Sequence, residues 1–214
     1  LGVNNDGSIV GLRARVVADA GAYPALGAIL PMLTMQLSQA VYDIPAIDFF
    51  AQSVVTNTTF VGPYRGAGRP EATQMVERIL DKAAHSIGMD PAELRRKNYI
   101  QPDAFPLTTL VGSNYDSGEY ERALDAVLEA SGYAELRAEQ ARRREADDQI
   151  LLGIGVSSYV EVTAPIGLHV EYGSCEINDD GSATIKVGTS SHGQGHDTAF
   201  SMIVNDMLGI PMDL

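Results

Sequence analysis

Turn-forming residues Asn5-Asp6-Gly7-Ser8 lead into Ile9, Leu12, Ala14, Val16 and Ala18, where apolar and polar positions alternate. A period of two after Asp-Gly is hairpin chemistry, so a strand ending near Asp19 is predicted. Asn178-Asp179-Asp180-Gly181-Ser182 separates two further apolar runs, 169–177 and 183–187, and predicts a second hairpin. The two turns share chemistry without forming a repeat. Strand candidates also lie at 48–56 and 151–162.

Elsewhere the period lengthens to that of a helix. Met75, Val76, Ile79, Leu80, Ala83, Ala84 and Ile87 recur at helical spacing, opened by Pro70 and Glu71 and stopped by Gly88. Asp90-Pro91-Ala92-Glu93 and Asp116-Ser117-Gly118-Glu119 read as helix N-termini of capping-box type, the second carried by Leu124, Val127 and Leu128 to Gly132. Residues 133–148 have few apolar positions and include Arg142-Arg143-Arg144, the mark of a solvated helix or linker. A last helix is predicted over 197–208, with Gly209 and Pro211 beyond it.

Two strands, three helices, three strands and a helix do not alternate as a doubly wound chain would. The order predicts an α+β fold of mixed, largely antiparallel sheet with packed helices. The charged stretch 137–149 marks the expected boundary between a first lobe, 1–136, and the start of a second, 150–214.

Composition narrows the class. The 214 residues include 45% hydrophobic and 20% charged positions, a globular balance that excludes disorder. A net charge of -13 argues against a nucleic-acid surface, which needs a basic face. Gly27 and Pro31 break the apolar run 25–33 well short of the ~20 residues of a membrane helix. A single cysteine, Cys175, forms no internal disulfide, and it is expected as a buried thiol on a strand. The start at Leu1, without a signal region, is expected of a cytoplasmic protein and of a piece excised from a longer one.

Two short segments carry candidate chemistry. Tyr64-Arg65-Gly66-Ala67-Gly68-Arg69-Pro70 sets arginines and glycines ahead of a helix N-terminus. Free N–H groups, close backbone approach and guanidinium forks suit an anionic ligand. A tight turn whose arginines neutralise nearby carboxylates is the alternative. Ser190-Ser191-His192-Gly193-Gln194-Gly195-His196-Asp197 is a second small-residue loop opening a helix, and the Gln194 amide can donate and accept at a heterocycle or oxo group. The alternative is a polar turn capping the helix. His192 and His196 are four apart, but the intervening glycines favour a loop and no third ligand accompanies them, so no metal ligand is assigned. Gly153-Ile154-Gly155 lacks the strand-turn-helix setting of a dinucleotide site. Glu161 is expected as a buried, partnered carboxylate, and His85 as a partner of a helix C-terminus.

In chain order, Val17-Ala18-Asp19-Ala20-Gly21-Ala22-Tyr23, the run from Val54 through Tyr64-Arg65-Gly66-Ala67-Gly68-Arg69-Pro70-Glu71-Ala72, Leu94-Arg95-Arg96-Lys97-Asn98, Tyr115-Asp116-Ser117-Gly118 and Gly193-Gln194-Gly195-His196 resemble the molybdenum-binding large subunit of the xanthine dehydrogenase family, especially its aerobic carbon monoxide dehydrogenase-like members. The resemblance covers nearly the whole chain. It implies two lobes of a molybdopterin-binding domain and a molybdopterin cytosine dinucleotide cofactor. The implied partners are an FAD-binding medium subunit and an iron–sulfur small subunit with 2Fe-2S clusters, assembled as a dimer of heterotrimers. An aldehyde or heterocycle would be oxidised with water-derived oxygen, the electrons leaving through the clusters to FAD. By position, Arg65 would be the catalytic arginine facing substrate, with Gly66 and Ala67 in the same cofactor-side loop. Gly193, Gln194, Gly195 and His196 would cradle the cofactor.

The resemblance also shows departures. The chain lacks the upstream cofactor loop and the downstream glycine-rich segment with the glutamate base, so it is expected to be inactive alone. Gly66 stands where carbon monoxide oxidisers carry a copper-binding cysteine, which favours organic hydroxylation. A carbon monoxide dehydrogenase large subunit and a non-catalytic anion-binding domain remain the alternatives.

Overall fold

The computed structural model describes residues 1–161 and 170–214. The chain forms two compact units, Leu1–Glu161 and Val162–Leu214. The charged helix and the residues up to Glu161 therefore belong with the first unit, beyond the boundary that composition suggests at 137–149.

In the first unit β1 (Gly2–Val3) turns back antiparallel onto β2 (Ile9–Asp19) through the expected Asn5–Ser8 turn, closed by Gly7 N–H donating to Asn4 O at 2.9 Å. β2 then pairs in parallel with β3 (Ile47–Val54). The register places Arg13 opposite Asp48, an ion pair at 2.8 Å, and Arg15 opposite Phe50, the guanidinium 5.7 Å from the ring centroid. Parallel neighbours need a crossover. It contains a 3-10 turn (Ala25–Ile29) and α1 (Leu30–Gln36), which the broken apolar run 25–33 hides. Pro31 interrupts the pattern but not the helix, because the first turn needs no N–H from it.

The expected helices follow as α2 (Arg69–Ile87), α3 (Pro91–Asn98), α4 (Tyr120–Ser131) and α5 (Tyr133–Glu145), with a small antiparallel pair, β4 (Leu107–Thr108) and β5 (Asn114–Tyr115), before α4. Asp90 caps α3 as expected, accepting from Ala92 N–H at 2.8 Å. Asp116 does not cap α4. That helix starts only at Tyr120; Asp116 instead accepts from Ser117 N–H, and the Tyr120 and Phe105 rings fill the space where a Gly118 side chain would lie. The fold is thus α+β with mixed sheet; its longest ladder is the parallel one and its shorter pairs are antiparallel.

One face of α2, with Val76, Leu80, Ala83 and Ala84, packs on Ile9, Leu12, Val41, Tyr42, Ile44, Leu94 and Tyr99. Burying one such leucine fully is worth about 1.5–3 kcal/mol. Inside this core lies a charged network. Arg95 is fully buried, donating from Nε to Glu77 Oε2 at 2.8 Å, from Nη1 to Asp81 Oδ1 at 2.8 Å and to Pro91 O at 3.0 Å, and from Nη2 to Glu77 O at 3.1 Å. Tyr42 OH donates to Glu77 Oε1 at 2.7 Å. Burial pushes the Glu77 carboxyl above its ordinary value, against the pull of Arg95.

Residues 151–161 form no strand, contrary to the expectation for 151–162, whose last residue lies outside the described ones. Their fixed points are side-chain bonds in place of a ladder: Gln140 Nε2 donates to Leu152 O at 2.9 Å, and Ser158 N–H donates to Glu77 Oε2 at 3.1 Å.

The second unit holds the other predicted hairpin, β6 (Gly173–Ile177) against β7 (Ala183–Val187), and α6 (His196–Leu208). His169, the expected start of the first of these strands, lies outside the described residues. None of the described residues of this unit is buried. Cys175 is exposed, which corrects its reading as a buried thiol: among the described residues of this unit none forms a core for the hairpin. No helix among the described residues is long and apolar enough to cross a membrane.

Candidate functional site

The arginine segment folds into two overlapping turns. Ala67 N–H donates to Tyr64 O at 2.8 Å and Arg69 N–H to Gly66 O at 3.0 Å. Three consecutive residues take positive φ: Gly66 at 100°, Ala67 at 36° and Gly68 at 93°. Gly68 also needs the absence of a side chain for space. A Cβ there would sit 2.6 Å from Leu33 Cβ and 2.7 Å from Thr34 N, so only glycine lets the turn rest on α1. The turn feeds directly into α2, whose N-cap, Gly68, makes no side-chain hydrogen bond to the helix. Arg65 is exposed, beside Tyr64 at 89%. An exposed guanidinium next to a helix N-terminus with no side-chain cap suits a negatively charged or carbonyl-bearing ligand.

Arg69 faces the protein. Its Nη1 donates to Ala67 O at 3.2 Å, and its buried Nε lies 3.1 Å from Glu161 Oε1, an ion-pair contact outside hydrogen-bond geometry. Glu161 is thus partnered as expected, but its side chain is 52% exposed and not buried.

The second candidate loop has a related construction. Gly193 (φ 103°) and Gly195 (φ 75°) flank Gln194, and Gly195 is the N-cap of α6, again without a side-chain hydrogen bond. A Cβ on Gly195 would meet nothing within 4 Å, so the position opens onto unfilled space at the positive end of the helix. The Gln194 carbonyl oxygen accepts from His192 N–H within the loop. His196 takes the first helical position, its ring 5.2 Å from that of Phe200, and Asp197 places a carboxylate in the first turn. An anion, or a heterocycle with an anionic tail, suits such a loop, because the first N–H groups of α6 have no side-chain cap and Gly195 presents no Cβ.

Arg65, Gly66 and Ala67 therefore share one turn in the first unit, and Gly193, Gln194, Gly195 and His196 share one loop in the second. Among the described residues no group of three or more His, Cys, Asp or Glu side chains is placed to hold a metal ion. A groove of about 260 Å³ lies between α4 and residues 156–159, lined by Val41, Tyr120, Leu124, Val127 and Tyr159, and none of the candidate residues lines it.

Sequence reasoning expected a partner for Glu161 without naming Arg69, and it missed the buried network. The Glu77–Arg95 network was detectable through Glu77, which lies on the apolar face of α2 with Leu80 and Ala84, three and seven residues on.

Comparison with known proteins gives consistent findings. Models of the molybdopterin cofactor-binding domain match residues 1–99 and 126–214. The chain is 39% identical to the carbon monoxide dehydrogenase large chain of Hydrogenophaga pseudoflava, over 100% of this chain and 28% of that one. It is 32% identical to the nicotine 6-hydroxylase large subunit of Paenarthrobacter nicotinovorans, over 98% of this chain and 27% of that one. Among solved structures it resembles quinoline 2-oxidoreductase from Pseudomonas putida 86, with a TM-score of 0.85 at 29% identity, covering 98% of this chain and 28% of that one. The chain thus spans little more than a quarter of the length of these relatives.

Proposed function

The chain belongs to the molybdopterin cofactor-binding family, as part of a molybdenum-binding large subunit of xanthine dehydrogenase type, and from that membership we propose that the whole protein hydroxylates an aldehyde or a heterocycle. The observation that carries this reading is the turn 64–70: an exposed arginine ahead of three left-handed residues on a helix N-terminus that no side chain caps. When bound, the molybdenum cofactor would supply transfer of water-derived oxygen and uptake of two electrons.

The residues present fit that group. Gly193, Gln194, Gly195 and His196 would hold it through backbone donors at the α6 N-terminus, where the missing Gly195 side chain leaves room. Gly66 and Ala67 would approach it from the arginine turn. Arg65 would orient substrate and stabilise negative charge developing on its oxygen or ring nitrogen. The cytosine dinucleotide form of the cofactor, an FAD-binding medium subunit, a small subunit with 2Fe-2S clusters, a dimer of such heterotrimers and a cytoplasmic location complete the proposal. The relatives include a nicotine 6-hydroxylase large subunit and the gamma subunit of a 6-hydroxypseudooxynicotine dehydrogenase complex, which supports a multi-subunit setting.

A carbon monoxide-oxidising reading has in its favour the 39% identity to a carbon monoxide dehydrogenase chain. Against it, Gly66 offers no donor atom at the turn, and a soft metal there needs a thiolate. Metal and pterin analysis of the full-length complex decides between the readings. Equimolar molybdenum and pterin without copper is expected, with Arg65→Ala lowering turnover more than cofactor content. Copper equimolar with molybdenum would favour carbon monoxide oxidation, and absence of both metals would favour an anion-binding domain.

A further inference from the structure

Arg69 occupies the first position of α2, where a cation meets the positive end of the helix dipole. Its placement is unfavourable by itself; Glu71 puts one carboxylate in the same first turn, and Glu161 brings a second to 3.1 Å from the guanidinium. The same guanidinium donates to the carbonyl of Ala67, the non-glycine residue held at φ 36° in the turn. Glu161, Arg69 and the Ala67 carbonyl thus form a continuous chain of contacts ending two residues from Arg65.

Residues before Glu161 are fixed independently of the turn. Ser158 N–H donates to Glu77 in the middle of α2, and the Ser158 hydroxyl shares a 2.6 Å hydrogen bond with Tyr99 OH. The segment is therefore pinned to α2 at Ser158 by a buried carboxylate and meets the same helix again at Arg69. That gives Glu161 a fixed base from which to act.

We infer that Glu161 is a positioning residue: it holds Arg69, and through the bond of Arg69 to Ala67 O it fixes the turn that presents Arg65. The functional consequence rests on the reading of Arg65 as the substrate-facing arginine; the mechanical one does not.

Hydrogen exchange of the full-length complex, read by mass spectrometry, tests it. In Glu161→Gln, the Ala67 and Arg69 amides that close the turn should exchange about two- to fivefold faster, the factor expected for loss of a partly exposed ion pair. Glu161→Asp should recover part of the protection and Glu161→Lys should lose more, while peptides covering residues 74–87 stay as in the parent. Unchanged exchange over 64–70 in both Gln and Lys variants would overturn the inference. So would an equal rise over 74–87, because that would be loss of packing and not release of the turn. Turnover of Arg65→Ala tests the reading of Arg65 separately, so a failure of either is told from a failure of the other.

Discussion

Replacing Glu77 by Gln keeps the shape of the side chain and removes its charge. The carboxylate now accepts from Tyr42 OH, Arg95 Nε and Ser158 N–H at 2.7, 2.8 and 3.1 Å. The amide can keep the Arg95 and Ser158 bonds through its one oxygen and donate to the Tyr42 hydroxyl, which also accepts, so what the exchange removes is the charge. Arg95, with no exposed side-chain surface, keeps only Asp81, whose side chain is 42% exposed, as a charged partner. Removing one member of a buried pair costs about 3–5 kcal/mol, because the remaining charge stays desolvated. With a urea slope of about 2 kcal/mol/M, the unfolding midpoint of the first unit should fall by about 1.5–2.5 M. The double variant Glu77→Gln/Arg95→Met should regain part of that loss, since no charge is then stranded. Arg95→Met alone should be pH-dependent. The Glu77 carboxyl is already raised by burial, and losing Arg95 raises it further. A raised carboxyl gives stability that is present at low pH and lost as pH rises through its folded value, so the gap to the parent protein should narrow on acidification. A loss below about 1 kcal/mol in Glu77→Gln would refute the argument, since it would equal a neutral hydrogen bond.

Three further outcomes are expected. Gly68→Ala should destabilise by about 1–3 kcal/mol more than Gly112→Ala in urea unfolding, because both positions have φ near 90° but only at Gly68 does a Cβ collide with the α1 backbone; equal losses would show that α1 yields. Glu139, held down to about 2 by hydrogen bonds from Arg142 and Arg143, should still be ionised at pH 3.5, and the helix contact it makes should be present above the ordinary carboxylate range and lost only as pH falls toward 2; a carboxyl carbon resonance titrating near 4.5 would contradict this. Gln194 would hold the cofactor in the proposed function, so Gln194→Ala should lower the molybdenum and pterin content of the full-length complex; unchanged content would sink that assignment.

The helices of the first unit were legible because their ends are written in residues with specific backbone demands. Gly88 and Gly132 take left-handed conformations at helix ends, and Asp90 makes the capping bond its position suggests. α1 was not legible, since Gly27 and Pro31 look like breakers in a linear pattern. In the fold Gly27 is a place of close approach, where a Cβ would overlap Val61 O, and Pro31 stands in a first helical turn. Residues 151–161 misled in the other direction. Their apolar alternation is that of a strand, yet the groups they meet are a core carboxylate and a tyrosine, and no alternation can distinguish a β neighbour from a helix face.

The candidate loops show where legibility stops. Gly66, Gly68, Gly193 and Gly195 were read as places of close backbone approach, and in the structure each takes positive φ, which glycine alone does without strain. Ala67 announced nothing, because alanine is not chosen for positive φ; it is kept there by the turn bonds on both sides and by Arg69 at its carbonyl. The conformation of the turn is therefore encoded partly in residues remote from it, in Leu33 and Thr34 that leave room only for a glycine, and in Glu161 that anchors Arg69. A motif of seven letters specifies which chemistry is offered. Whether that chemistry is aimed depends on supports that the motif does not contain, and substitutions at Glu161 should change the aim of Arg65 while leaving every residue of the motif in place.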